Sequence, residues 1–148
     1  MTTVNIRLQC DQAVAAFQAA DVDEQLAMLW QIYNTLGQAF AASSPVALFS
    51  QAVQQLLSQF NQVDRQDQLE ILRDILLGAD TRFAKAYGAL NINMKLAFWQ
   101  RLTRQISLKR LSPSFKDRIQ PRETVALMAR VNTMGLNERL HFLRQVIG

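Results

Sequence analysis

The chain has 148 residues, 49% hydrophobic and 19% charged, which suits one globular domain and excludes a disordered chain. Its single Cys and single His exclude a disulfide framework, a Cys-rich zinc site and any site built on several histidines. Lys and Arg (16) outnumber Asp and Glu (12), for a net charge of +4 and a pI near 9.7. No apolar run reaches the ~18 residues of a spanning helix and no signal peptide opens the chain, so a soluble intracellular protein is expected.

Gly (5) and Pro (3) are too scarce to punctuate many short strands, and the apolar residues follow a helical period. Leu26, Leu29, Trp30, Tyr33, Leu36 and Gly37 recur at spacings of three and four, one face of an amphipathic helix. Asp21 followed by Glu24 forms a capping box ahead of it. Ser44-Pro45 reads as the start of a second helix, with Leu48, Phe49, Ala52, Val53, Leu56, Leu57 and Phe60 on its apolar face. Asp64 opens a third, with Leu69, Leu72, Ile75 and Leu76 inward and Gly78 as its stop. Asp80 is the expected cap of a short helix carrying Phe83 and Tyr87. From Asn91 to Ile106 one side is apolar: Met94, Leu96, Phe98, Trp99, Leu102 and Ile106. Residues 107–120 carry the weakest pattern, and Ser112-Pro113 breaks any helix there. That stretch is expected to link a first half, about 1–106, to the last helices, about 121–148, within a single domain spanning 1–148. Pro121 starts a helix ending near Gly135, and Asn137 is the expected cap of a last one ending at Gly148. Segments starting at Leu26, Leu69 and Leu140 share one pattern: Leu, Leu three on, then a large residue, then a β-branched residue two further. The period is not fixed, so they suggest related helix-pair units rather than a solenoid.

Little catalytic chemistry is available. His141 lies in a helical pattern, Cys10 has no His close in sequence, and no Gly-rich phosphate loop exists. The carboxylate pairs Asp21/Asp23 and Asp64/Asp67 fall at helix starts, where capping explains them, so no enzyme and no metal site is expected. Between Lys95 and Arg122 eight basic residues face the single acid Asp117, a stripe that suits an anionic partner or a solvated surface equally. No recognition-helix signature accompanies it, so no nucleic acid is expected. Trp30, Tyr33 and Trp99 read either as core or as walls of a flat apolar slot for a conjugated ligand.

Three stretches carry a resemblance: Asp23-Glu-Gln25-Leu26-Ala-Met-Leu29-Trp30-Gln-Ile-Tyr33; Gly78-Ala-Asp80-Thr81, with Tyr87 and then Asn93-Met-Lys95-Leu96-Ala-Phe98-Trp99-Gln-Arg101-Leu102; and the C-terminal Leu143-Arg144-Gln-Val-Ile-Gly148. They resemble the N-terminal domain of the orange carotenoid protein, and the whole chain is similar to the stand-alone helical carotenoid proteins of cyanobacteria. The resemblance implies an all-α fold of two interleaved four-helix bundles around an elongated apolar tunnel. It implies a ketocarotenoid, canthaxanthin or echinenone, held non-covalently and lined by Leu26, Leu29, Trp30, Tyr33, Leu72, Leu96 and Trp99, with Arg144 near the polar end. A helix of roughly 18 residues spans about 27 Å, so two bundles can enclose a long polyene. The ring end near Arg144 and Tyr33 is expected to be polar or solvent-facing. Trp30→Ala and Trp99→Ala are expected to weaken pigment retention without unfolding the bundle.

The implied function is photoprotection: quenching of singlet oxygen and, in some members, of phycobilisome excitation. The implied location is the cytoplasm, with phycobilisomes at the cytoplasmic face of thylakoid membranes, and peripheral membrane contact only for pigment uptake. A separate homologue of the family's C-terminal domain is a further implied partner. The chain ends where that domain's linker would begin, so constitutive rather than light-gated activity is expected. Four positions depart from the family pattern: Gln100 stands at a tyrosine, Thr103 at a glycine, Arg73 at a buried cysteine and Leu90 at a tryptophan. The alternative function is a pigment-free helical module docking to an antenna or assembly protein through the basic stretch Lys109 to Arg122.

Overall fold

At three helix starts a short polar side chain satisfies a backbone N–H group that has no partner within the first turn. In the computed structural model, which describes residues 2–36, 50–111 and 121–148, the described residues form nine helices and no strand. They are α1 (Thr2–Ala19), α2 (Val22–Leu36), α3 (Gln51–Asn61), α4 (Arg65–Leu77), α5 (Arg82–Gly88), α6 (Ile92–Gln105), α7 (Leu108–Leu111), α8 (Pro121–Asn132) and α9 (Leu136–Ile147). Gly37, Ser44-Pro45, Leu48, Phe49, Ser112-Pro113 and most of the basic stretch lie outside the described residues.

The Asp21 cap is as expected: its Oδ1 accepts from the Glu24 N–H at 2.8 Å. Asn91 caps α6 in the same way, accepting from the Met94 N–H at 2.9 Å. Two expected caps are displaced. Thr81, not Asp80, caps α5 through the Ala84 N–H at 3.3 Å, because the helix begins at Arg82 and the cap is the residue just before it. Asp80 instead pairs with Lys85 on the surface. Gly135, not Asn137, precedes α9, so Asn137 falls inside the helix. Gly78 stops α4 as expected, at φ 65°, and two closing bonds run from its N–H to Ile75 and from the Ala79 N–H to Asp74. Ala52, expected on the inner face of α3, is exposed, while Val53, Leu56, Leu57 and Phe60 are buried.

The repeated Leu pattern corresponds to a repeated corner between helices. Gln25, the fourth residue of α2, donates from Nε2 to the Phe17 carbonyl at 3.0 Å. Gln68, the fourth of α4, does the same to the Phe60 carbonyl at 3.0 Å. Arg139, the fourth of α9, reaches the Val131 carbonyl at 3.2 Å. Each acceptor lies eight residues earlier, near the end of the preceding helix, on a residue that is itself buried. At the fourth corner Lys95, the fourth residue of α6, lies over the ring of Tyr87, 5.5 Å from its centroid. At the first three corners the side chain thus adds a second bond to a carbonyl that already accepts the backbone N–H three residues on, and ties the start of one helix to the end of the one before.

Those corners direct successive helices to different neighbours. α1 packs on α8 and α9, and α2 packs on α1 and α8, which makes a first group from the two ends of the chain. α3 packs on α5 and α6, and α4 on α5, which makes a second group from the middle. The last helices therefore do not form a separate half: they close around the first two. The groups meet where α2 touches α4 and α6, and where α6 touches α9. One hydrophobic cluster runs through both, from Cys10 to Ile147. The stretch expected as a linker opens with α7, which packs on α4 and buries Leu111.

Arg73 fastens the two groups together. Its Nε and Nη2 reach the two carboxylate oxygens of Asp23 on α2, at 2.7 and 3.0 Å, and its other terminal nitrogen reaches Glu70. A bidentate pair of this kind holds geometry as well as energy. Both side chains keep 16–20% exposure, so solvent screens the pair. Arg73→Ala is expected to cost about 1–2 kcal/mol, read as a lower urea midpoint with an unchanged slope.

Candidate functional site: the aromatic junction of the two helix groups

The helical period of α2 puts Leu26, Leu29, Trp30 and Tyr33 on one face, all four at most 4% exposed, and Trp30 and Tyr33 meet α6. Leu72 on α4 and Leu96 and Trp99 on α6 are fully buried. These seven residues therefore lie on three of the four helices along which the two groups meet. The indoles of Trp30 and Trp99 touch edge to face, with centroids 6.3 Å apart and planes at 83°. Phe98 and Tyr87 extend the aromatic cluster, each within 6.3 Å of Trp99 and with edge-to-face geometry. Edge-to-face pairs match the positive rim of one ring to the negative face of the next.

Each aromatic polar atom at this junction is used inside the protein. Trp30 donates from Nε1 to the Ile106 carbonyl at 2.8 Å. Ile106 follows the end of α6, and its extended backbone turns that carbonyl out of the helix. Tyr33 donates its hydroxyl to the Leu96 carbonyl at 3.0 Å. Trp99 donates from Nε1 to the Tyr87 hydroxyl at 2.9 Å. Burial pushes the Tyr33 phenol well above its ordinary value, and burial likewise raises Tyr87. Both are neutral at physiological pH.

Arg144 stands apart from the seven: it is exposed on α9. Tyr33 is 3% exposed with its hydroxyl bonded to α6, where the resemblance implied a polar or solvent-facing end. Gln100 is buried beside Trp99, and Thr103 returns its hydroxyl proton to the Gln100 carbonyl at 3.2 Å. Arg73 turns away from the apolar junction toward Asp23. The sequence reading missed Tyr87 and the carbonyls of Ile106 and Leu96 as parts of this junction. Tyr87 carried one usable signal, a helical position shared with the buried Ala84.

Among the described residues the remaining titratable groups build no other centre. His141 is exposed, and burial raises the Cys10 thiol, which keeps it protonated and unreactive. Among the described residues no group of three His, Cys, Asp or Glu side chains could hold a metal, and no helix is long and apolar enough to cross a membrane.

The chain matches the family model described as "Orange carotenoid protein, N-terminal" over residues 4–148. It is 29% identical over 144 residues to an orange carotenoid-binding domain-containing protein of Nostoc sp. PCC 7120, covering 95% of this chain and 84% of that protein. Its fold is similar to the Anabaena (Nostoc) sp. PCC 7120 Red Carotenoid Protein solved with a mixture of carotenoids, with a TM-score of 0.74 and 25% identity over 93% of this chain and 94% of that one. The structure of that protein binding canthaxanthin matches with the same TM-score, 0.74, the same coverage and 24% identity. The nine described helices, their interleaved grouping and these matches lead to one assignment: the chain belongs to the family of the orange carotenoid protein N-terminal domain.

Proposed function

We propose that this chain holds a ketocarotenoid, canthaxanthin or echinenone, at the junction of its two helix groups and serves in photoprotection. The observation that carries the reading is the aromatic junction itself. Trp30, Tyr33 and Trp99 are buried together with leucines, and their polar atoms are all engaged by the protein. What they offer a ligand is apolar surface and ring faces, which fits a conjugated hydrocarbon chain. Leu26, Leu29, Trp30, Tyr33, Leu72, Leu96 and Trp99 are the residues that would hold it. When bound, a carotenoid takes up excitation energy, from singlet oxygen or from a pigment antenna, and releases it as heat. The protein's part is to fix the polyene by packing, exclude water and limit its twist. Family membership and the carotenoids named for the Red Carotenoid Protein structures support the ligand class.

The finer parts of the proposal follow the same family. Singlet-oxygen quenching needs only the bound pigment. Quenching of the phycobilisome adds a docking surface, with Arg144, Asn93 and Lys95 as its candidates, in the cytoplasm at the thylakoid face. A separate protein resembling the family's C-terminal domain would deliver or remove the pigment.

The two tryptophans are the whole indole content of the chain, and both stand at the junction. Intrinsic fluorescence therefore reports this one place. Titrating canthaxanthin into the pigment-free protein should quench it with a one-to-one end point; emission that stays constant would count against the reading. Arg144→Glu should leave that titration unchanged and reduce co-sedimentation with phycobilisomes, because Arg144 is exposed on α9. Loss of pigment uptake in Arg144→Glu would put Arg144 among the walls instead.

A further inference from the structure

We propose that Tyr87 is a positioning residue for the Trp99 indole, and that through it the last turn of α9 becomes part of the pigment junction. The pigment consequence rests on the function proposed above; the relay itself rests on geometry alone. An indole N–H can only donate. Trp99 Nε1 lies 2.9 Å from the Tyr87 hydroxyl, so that oxygen accepts, and its own proton is directed to the Ile147 carbonyl at 2.9 Å. Ile147 is the last residue of α9, where a carbonyl has no partner within its own helix. One buried hydroxyl thus satisfies the end of α9 and the indole of α6 together. All three residues are at most 4% exposed, so water replaces neither bond.

Lys95 reinforces the same latch. Its ammonium lies 5.5 Å from the centroid of the Tyr87 ring and 3.4 Å from the Gly148 carbonyl. The end of α9 is therefore held at two successive carbonyls, one by Tyr87 and one by Lys95. The other junction indole is pinned as well, by Trp30 to Ile106. With both N–H groups fixed, the edge-to-face angle of the two rings is set by protein bonds rather than by packing alone. Removing the Tyr87 hydroxyl frees one ring of the pair.

The test is Tyr87→Phe, which keeps the ring and deletes the oxygen. The first readout is the Trp99 indole N–H in the pigment-free, ¹⁵N-labelled protein, assigned with Trp30→Phe. Its exchange with solvent should speed up by about tenfold or more relative to the backbone amides of α6. The second readout is the visible band of the canthaxanthin-loaded protein, which Tyr87→Phe should move in the parent but should leave in place when it is added to Trp99→Phe. An unchanged indole in the pigment-free variant overturns the relay. A band shift that persists in full in the Trp99→Phe background overturns the positioning role, because the effect then does not pass through Trp99. If the parent chain takes up no pigment, the pigment reading fails while the indole readout still decides the relay. If Tyr87→Phe does not fold, the parent decides: its Trp99 indole N–H should exchange as slowly as the α6 amides, and fast exchange overturns the proposal.

Discussion

Truncation of Trp99 to alanine is expected to lower the unfolding free energy by about 3–5 kcal/mol. Trp99 has no exposed surface and sits in contact with Trp30, Tyr87 and Phe98. Alanine removes the whole indole, opens a cavity between α5, α6 and α2, and leaves the Tyr87 hydroxyl without its donor. Domains of this size hold a margin of about 5–15 kcal/mol, so the variant should stay folded at low temperature and melt early. Burial thus revises the expectation from sequence that this truncation spares the bundle: pigment retention and stability should fall together. Trp99→Phe refills most of the space and should recover more than half of the loss. Urea unfolding of the pigment-free proteins checks this, and a Trp99→Ala cost below about 1 kcal/mol would mean that the junction is far looser than the structure has it.

Alkaline pH is expected to destabilise the fold steeply. The chain has two tyrosines, Tyr33 and Tyr87, and both are buried with phenols raised above their ordinary value of 10.0. Below pH 10 neither state ionises them and their contribution is constant. Above it the unfolded chain releases two protons that the folded chain keeps, so the unfolded state binds fewer protons and stability falls as pH rises. The slope is about 1.4 kcal/mol per pH unit for each tyrosine, about 2.7 for both, until the folded phenols themselves titrate. Ultraviolet titration should show tyrosinate appearing together with the loss of helical circular dichroism. Tyr87→Phe should halve the tyrosine contribution to the slope. Tyrosinate forming while the helices remain intact would show that water reaches these hydroxyls.

Much of the architecture was readable because its determinants are local. The three-four spacing of Leu26, Leu29, Trp30 and Tyr33 marks the inner face of α2, and Asp21 and Gly78 act on residues three or four away. Where two cap-forming residues stand side by side, as Asp80 and Thr81 do, local preference cannot choose, and the helix start decides. The repeated Leu pattern was visible, but the clasp behind it was not, since it needs a side chain on one helix to meet a carbonyl on the previous one. The same limit applies to the site. Spacing makes Trp30, Tyr33 and Trp99 apolar positions, and the resemblance is what proposes them as pigment walls. Their partners lie 76, 63 and 12 residues away, at separations no helical period encodes. Arg144 shares the helix of the buried Leu143 yet is exposed.

This bundle is proposed as a carotenoid holder. Expression of the full chain in a host that makes canthaxanthin, followed by purification, absorption spectroscopy and extraction, tests it most directly. A coloured protein carrying the pigment near one equivalent per chain is the expected outcome. A colourless, folded protein from the same pigmented cells would contradict it.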